Sequence, residues 1–413
     1  MKVLHLSYRG LEGGGAAVVT RRLHFALRSE GLDSTILCAE NPDESSHITK
    51  YRRSRVAAKL DPWLRYLTST LGLNNVVDIS SFMIRQHQAW RDADVVNLHS
   101  YGEFFSYLAL PSLSQAKPTV MTLHDMSTFT GHCYVSFDCE RWKFGCGRCP
   151  YPDVSPSIER DSTHIEWKLK KWAYDRSMLT IVAPSTAYAE LARKSMLGRF
   201  PIHHIPHGID TDVYKPLDAQ QCRSLLGIPF AKKVLMFMSK SLHSSVKGGQ
   251  LLSKILKTIP RALKAEMVLI LVGNQGQMLA NSLDIPAMDF GYVGSDRLKA
   301  ICYSASDLFV HPTRAEAFGL VLLESMACGT PMVSFGVGGV TDLVRPGITG
   351  YLAEPDDTED LVCGIVQLLE DDHLRKRMRT QCRTIAAQEY PIELQAERYV
   401  DLYNKVLSNG ASL

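Results

Sequence analysis

Short, unbroken apolar runs alternate along the chain with longer amphipathic stretches. KVLHLSY, DADVVNLHS, PTVMTLHD, LTIVAPS (ending at Ser185) and PIHHIPHGID occupy the first half. KVLMFMSKS, MVLILVGNQG, DFGYVG, DLFVHP and PMVSF occupy the second. Apolar runs of this length without polar alternation predict strands buried on both faces, as in parallel sheets covered by helices. After the first strand comes a loop with glycines, Arg9 to Gly15, and a helix is predicted from Ala16 to about Arg28. Strand, glycine turn and helix make the start of a βαβ unit. The loop lacks the Gly-x-Gly-x-x-Gly spacing of dinucleotide binders. Its glycines still let the backbone approach a ligand, and the helix N-terminus favours a phosphate.

Between DLFVHP and PMVSF lies HPTRAEAFGLVLLESMACGTPMV, His311 to Val333. Gly319 permits a tight turn, Leu320 to Ala327 favours helix, and Gly329 with Pro331 ends it. Glu324 is then an acid on an almost wholly apolar helix, where an unpartnered carboxylate is costly. Either a backbone amide or an arginine offsets that cost, or the hydroxyls of a ligand do. Glu316 precedes the helix, where unpaired N–H groups and the macrodipole favour an anion. Lys247 precedes Gly248 and Gly249 at another predicted helix start, a poor place for a cation unless an anion lies nearby.

This segment resembles the signature of the family 4 retaining glycosyltransferases. Their pattern is two glutamates with seven residues between them, a Phe-Gly turn inside, and Ala-Met-Ala-Cys-Gly-x-Pro-Val after the second. Glu316, Phe318, Gly319, Glu324 and the run from Met326 to Pro331 match, while Ser325 and Met332 stand where Ala and Val are usual. The resemblance implies an α/β protein of GT-B fold, two Rossmann-like domains facing a central cleft. It implies that Glu316 binds donor-sugar hydroxyls, that Glu324 binds the nucleotide ribose, and that the amides of Phe318, Gly319 and Leu320 cradle the diphosphate. Gly14 and Gly15 would face the donor phosphate and the acceptor. His124, in Thr122-Leu123-His124-Asp125, would contact the donor sugar or the acceptor, with His99 a weaker candidate on the acceptor side. Lys247 would contact the diphosphate. The family's Arg a few residues earlier is replaced by Ser239-Lys240, so Lys240 stands in without a bidentate fork. Tyr292 would pack against the nucleotide base. Catalysis would rest on Glu316, His124 and Lys247. In the linker pattern Ile-Pro-Asn-Gly-Ile-Asp, His207 replaces Asn; Gly338, Gly339 and Asp342 resemble a Gly-Gly-x-x-Glu turn.

The expected domains are 1–205, carrying an insert at 131–150, then 206–390, and a closing helix 391–413 that returns to the first domain. A chain of 413 residues is long enough for them. A net charge of +3 is too small to argue for nucleic acid. No apolar run reaches the length of a membrane span. The start, MKVLHLSYRG, has too short an apolar core for a signal peptide, so the ten cysteines predict reduced thiols in a cytoplasm. From Lys50 to Leu73, basic residues mix with Trp63, Leu64, Tyr66 and Leu67; Trp167, Lys168, Lys170, Lys171 and Trp172 repeat the theme. Such stretches read as solvated helices or as amphipathic surfaces meeting anionic lipid at the inner face of a membrane.

The insert holds Cys133, Cys139, Cys146 and Cys149 in the spacing C-x5-C-x6-C-x2-C. Four thiolates would close a tetrahedral structural zinc site; two disulfides or buried free thiols are the alternatives. Similar inserts occur in the exopolysaccharide (colanic-acid-type) subgroup of the family. The function implied is retaining transfer of a sugar from a nucleotide sugar to a hydroxyl of a saccharide or lipid-linked saccharide, in surface polysaccharide synthesis. No catalytic cofactor is implied. A nucleotide-sugar epimerase on the same fold and a silent binding subunit are the competing readings.

Overall fold

The computed structural model describes residues 1–10, 13–40, 47–74, 76, 78–99 and 105–410. Leu11 and Glu12 of the glycine loop lie outside the described residues. The chain divides into two compact units, Met1–Pro206 with Glu393–Leu413, and His207–Ile392. Sequence boundaries at 205/206 and 390/391 fall within two residues of these.

The first unit holds seven strands: β1 (Lys2–Arg9), β2 (Asp33–Glu40), β3 (Ile48–Lys50), β4 (Val95–Leu98), β5 (Thr119–Thr122), β6 (Thr180–Ala183) and β7 (Ile202–His204). They form one parallel sheet in the order β3-β2-β1-β4-β5-β6-β7. The second unit holds β8 (Lys233–Ser241), β9 (Met267–Asn274), β10 (Ala287–Asp289), β11 (Leu308–His311), β12 (Met332–Phe335) and β13 (Gly350–Ala353). Their order is β10-β9-β8-β11-β12-β13, again all parallel. Each sheet is therefore doubly wound, with the strand order reversing beside its first strand. The expected pair of Rossmann-like domains is present.

Side-chain alternation shows why apolar runs make these strands. In β8, Val234, Met236 and Met238 enter one core while Leu235 and Phe237 enter the other. In β9, Ile270 and Val272 share the first core, and Met267, Leu269 and Leu271 the second. Both faces of these two strands are covered, and residues 234–238 and 267–272 are apolar throughout. One expected strand is displaced. β10 is Ala287–Asp289 and takes only the first residue of DFGYVG; the rest is a loop, and Gly291 at φ +60° turns the chain out of the sheet.

The closing helix, Ile392–Gly410, is held in the first unit by polar contacts at the ends of β4 and β5. Asn97 Nδ2 donates to the Tyr403 hydroxyl at 2.8 Å, and the Tyr399 and Thr122 hydroxyls lie 3.0 Å apart. Ile209 N–H donates to Tyr390 O, and Ile392 N–H donates to Ile209 O. The outgoing and returning chain segments thus run hydrogen-bonded side by side.

Candidate functional site

In the second unit the strand order reverses between β8 and β11, and the loops after these strands carry Lys247 and Glu316. Ligands gather at such reversals, outside the carboxyl ends of the strands. Two loop–loop bonds bring the residues together. Arg314 N–H donates to Val246 O at 2.8 Å, and the Thr313 hydroxyl donates to the same oxygen at 3.1 Å. Close approach demands glycine at Gly248, which has φ +79°; a Cβ there would fall 1.9 Å from Pro312 O. The Lys247 ammonium then reaches Glu316 Oε2 at 2.7 Å.

His311, the last residue of β11, places Nε2 at 3.2 Å from the same Oε2. A carboxylate only accepts, so Nε2 carries the proton, and Nδ1 is buried without a hydrogen-bond partner among the described residues. Burial pushes the Glu316 carboxyl up, but Lys247 and then His311 outweigh it and hold the group down to about 2. Burial in turn lowers the His311 imidazole, against the pull of Glu316. Glu316 is therefore an anion with one firm cationic partner. Reasoning from sequence named Glu316 and Lys247 but not their pairing, and it gave His311 no role. A histidine at a strand end, five residues before the acid, was the available signal.

The Gly338-Gly339 turn supports the backbone of this loop. Gly339 N–H donates to Glu316 O at 2.9 Å, and a Cβ at Gly338 would lie 2.2 Å from that oxygen. Beyond it Gly319, at φ +103°, begins the helix Leu320–Ala327. Among the described residues the N–H groups of Phe318, Gly319 and Leu320 have no protein acceptor. They are the unpaired donors that every helix start presents. Glu324 lies on this helix, 4% exposed. The Tyr303 hydroxyl lies 2.9 Å from Val321 O and 3.5 Å from Glu324 Oε2. Phe318 packs edge-on against His207, with ring centroids 5.0 Å apart. Lys240 is exposed at the end of β8 with no ion-pair partner among the described residues. Tyr292 stands 60% exposed in the loop after β10.

The first unit carries the remaining candidates. Gly14 and Gly15 open the helix Gly15–Ser29, and a side chain at Gly14 would meet open space. His99 and His124 follow β4 and β5, with His99 Nδ1 at 3.1 Å from His124 Nε2. Asp125 closes a turn by accepting from Ser127 N–H at 2.7 Å.

The cysteine insert and the loop 127–130 that leads into it are bolted to the helix Thr163–Tyr174. Lys170 Nζ donates to Ser127 O and Thr130 O at 2.8 and 2.9 Å, with Glu166 at 3.6 Å. The Trp167 indole donates to Trp142 O, and Tyr174 donates to Thr128 O. This corrects the reading of Lys170 as surface charge: it is 4% exposed and faces inward with Glu166, while Lys168, Lys171 and Trp172 are exposed. Burial first, and then the neighbouring thiols, push up Cys133, Cys146 and Cys149 of the four cysteines expected to hold a structural zinc. All four are free cysteines, and among the described residues no group of three or more His, Cys, Asp or Glu is placed to hold a metal. The thiols have other partners. Cys146 Sγ accepts from Gly131 N–H at 3.2 Å. Cys149 Sγ lies 3.2 Å from His132 Nε2, whose Nδ1–H donates to Pro156 O.

Known proteins share this organisation. The family Glycosyltransferase Family 4 matches residues 13–213, and Glycosyl transferases group 1 matches residues 227–384. D-inositol 3-phosphate glycosyltransferase 1 of Catenulispora acidiphila is 33% identical over 184 residues, 41% of this chain and 44% of that protein. N-acetyl-alpha-D-glucosaminyl L-malate synthase of Bacillus anthracis is 31% identical over 204 residues, 48% and 52% of the two chains. The matched stretch thus spans about half the length of these relatives. Among solved structures, sucrose-phosphate synthase of Thermosynechococcus elongatus superposes with a TM-score of 0.72 at 17% identity, covering 99% of this chain and 100% of that one. HepE of Anabaena, solved with UDP and glucose, gives 0.67 at 18%, covering 98% and 100%. These likenesses are to the fold. With two glycosyltransferase family matches that together reach from residue 13 to residue 384, the chain is a glycosyltransferase of GT-B fold.

Proposed function

We propose that the chain transfers a sugar from a nucleoside diphosphate donor to an acceptor hydroxyl with retention of configuration. The observation that carries this is the arrangement after β8 and β11: a cation, an anion and a row of unpaired backbone N–H groups at one strand-order reversal. Lys247 and the amides of Phe318, Gly319 and Leu320 supply positive potential for a diphosphate. Glu316, held ionised, accepts from sugar hydroxyls. When donor binds, the diphosphate competes with Glu316 for Lys247, so the pair is a preformed mould. Glu324 takes the ribose, Tyr292 the base, and Lys240 a second phosphate contact. Leaving-group charge is met by these groups, so no covalent nucleophile and no metal is assigned a step. HepE, solved with UDP and UDP-glucose, supports a uridine nucleotide as the donor class.

The acceptor is a saccharide or lipid-linked saccharide of a cell-surface polymer, contacted by His124 and the Gly14-Gly15 loop. Support comes from WaaG, a structural neighbour that acts in lipopolysaccharide biosynthesis, and from an exposed apolar stripe in the first unit. Val56, Leu60, Trp63 and Leu67 recur at helical spacing on Arg55–Thr70, each at least 41% exposed, beside exposed Arg52, Arg55 and Lys59. Among the described residues no helix is long and apolar enough to cross a membrane, so contact with an anionic leaflet would be peripheral. The curated relatives name small acceptors, an inositol phosphate and malate, and a panel must include such compounds.

The test is a panel of nucleotide sugars scored first for thermal stabilisation, then for transfer to acceptors. One donor should raise Tm, and product should form only when acceptor is present. Conversion of donor alone into an isomer would establish the epimerase reading; stabilisation by no donor would overturn the proposal.

A further inference from the structure

Two groups hold the Glu316 carboxylate, and they differ in freedom. Lys247 Nζ, on a half-buried side chain, reaches Oε2 at 2.7 Å. His311 Nε2 reaches the same oxygen at 3.2 Å, from a ring only 1% exposed. That ring is fixed by its neighbours. It stacks on Phe309, two residues back on the same face of β11, with centroids 5.9 Å apart and planes 17° from parallel. The Ser334 hydroxyl, from the neighbouring β12, donates to His311 O at 2.6 Å. Arg314, two residues before Glu316, is paired with Asp356 at 2.6 and 2.9 Å. The Gly338-Gly339 turn meets Glu316 with backbone and brings no charge.

His311 is a donor of fixed sense. Nε2 faces a carboxylate, and Nδ1 is buried with no hydrogen-bond partner among the described residues. A second proton, on Nδ1, would create an orphaned buried N–H, and such groups are rare and costly. Burial also lowers the imidazole, against the pull of Glu316. The ring thus stays neutral near pH 7 and offers Glu316 one N–H. Lys247 is different. Its ammonium is a point charge on a flexible stem, so a diphosphate can draw it off. The stacked ring has no such freedom.

We infer that His311 is a positioning residue for transfer: once the donor diphosphate has drawn Lys247 away, its Nε2–H keeps the Glu316 carboxylate ionised and aimed at the sugar. The role in transfer rests on the transferase reading; the grip on the carboxylate does not. With Lys247 withdrawn and His311 removed, only burial acts on the Glu316 carboxyl, and burial pushes it up. The group then takes a proton and loses the charge that makes it a strong acceptor from sugar hydroxyls.

The test compares His311→Leu with His311→Gln in the full chain. At pH 7.5 the Leu variant should lose roughly ten- to a hundredfold in kcat, the worth of a hydrogen bond to a charged group. In its free form Lys247 still holds Glu316, so kcat/KM should keep the wild-type pH dependence. In its donor complex neither partner remains, so kcat and KM should fall together from pH 8 to pH 5. A merely structural defect would lower kcat/KM at every pH and leave the profile of kcat unchanged. His311→Gln, whose amide N–H takes the place of Nε2–H, should restore both rate and profile. A kcat profile in His311→Leu parallel to wild type overturns the inference, as does a Gln variant no better than Leu. A second readout needs no substrate. In a Lys247→Ala background, which mimics withdrawal of the ammonium, 13C-glutamate spectra follow Glu316, assigned by its loss in Glu316→Gln. Adding His311→Leu should raise the pH at which Glu316 titrates, and adding His311→Gln should not. Equal titration with and without His311 overturns the inference. Should His311→Leu fail to fold, 15N-histidine spectra of wild type at pH 7.5 decide: the ring signal missing from His311→Gln must carry its proton on Nε2 alone, and a proton on Nδ1 overturns the inference. If no nucleotide sugar binds, the transferase reading falls, while the titration still decides the grip.

Discussion

Lys247 Nζ and Glu316 Oε2 are 2.7 Å apart although 69 residues separate them in the chain. The pair is asymmetric: the lysine side chain is 34% exposed, the glutamate 13%. The acid is thus the fixed member, gripped from behind by His311, and the ammonium can turn toward a ligand.

Glu316→Gln removes the charge but keeps the size. Transfer should fall by roughly a hundredfold or more, the scale set by losing one well-placed electrostatic contact to a reacting group. The far-UV spectrum should not change. A pH arm follows from the held-down carboxyl. Its pKa is about 2 against an ordinary 4.5, so its stabilising contribution is complete above about pH 4.5 and is lost as pH falls toward 2. Thermal melts of wild type between pH 6 and pH 3 should slope more steeply than those of Glu316→Gln. Parallel slopes would show that the ion pair adds nothing to folding.

Lys247→Ala should lower kcat as well as raise KM, because charge on the leaving diphosphate grows as the sugar bond breaks. Without the ammonium, burial pushes the Glu316 carboxyl upward, so activity near pH 5 should suffer more than activity near pH 8. A defect confined to KM would restrict Lys247 to binding the donor before reaction.

Much of this was legible in the chain, and the gaps have physical causes. β1, β4, β8, β9, β11 and β12 are apolar runs because both their faces are covered. β2, β3 and β13 were not read: DSTILCAE has polar ends, ITK is three residues long, and GYLA follows directly on a glycine turn. Such short or edge segments take their structure from neighbours. The helix Leu320–Ala327 was legible to the residue because Gly319 and the Cys328-Gly329 end punctuate it. The Lys247–Glu316–His311 cluster was not, since it depends on two loops meeting at Val246. Lys170 and Glu166, four apart on one helix face, look like a solvated pair; nothing local shows that the insert covers them.

The stability of the insert and of the loop that leads into it is predicted to rest on contacts with the helix Thr163–Tyr174 and not on a metal. Extended dialysis against a chelator should leave Tm unchanged within about a degree, whereas loss of a structural four-thiolate metal would unfold the loop. Lys170→Met should destabilise the first unit by roughly 3 kcal/mol, because it strips Glu166 and two loop carbonyls of their buried donor. Stoichiometric zinc in the purified protein, with a Tm drop on chelation, would show that the thiols converge on an ion.

The exposed face of the helix Arg55–Thr70 gives the last prediction. Ala57 and Asp61 turn inward, and Asp61 fastens the helix by accepting from Ile79 N–H at 2.7 Å and from the Ser80 hydroxyl. That leaves Val56, Leu60, Trp63 and Leu67 facing out, with Tyr66 beside them at 70% exposure. Burying one such side chain in a lipid interface gains about 1.5–3 kcal/mol, and flanking Arg and Lys add attraction to anionic headgroups that salt weakens. The protein should sediment with vesicles containing phosphatidylglycerol and much less with phosphatidylcholine alone. Leu60→Ser with Trp63→Ser should weaken vesicle binding by roughly tenfold or more. Donor-induced stabilisation should be untouched, because the altered side chains point to solvent, away from the sheet of their own unit. Binding that survives the double substitution but vanishes in high salt would assign the contact to charge alone. Failure to bind anionic vesicles at low salt would mean that this stripe does not meet lipid.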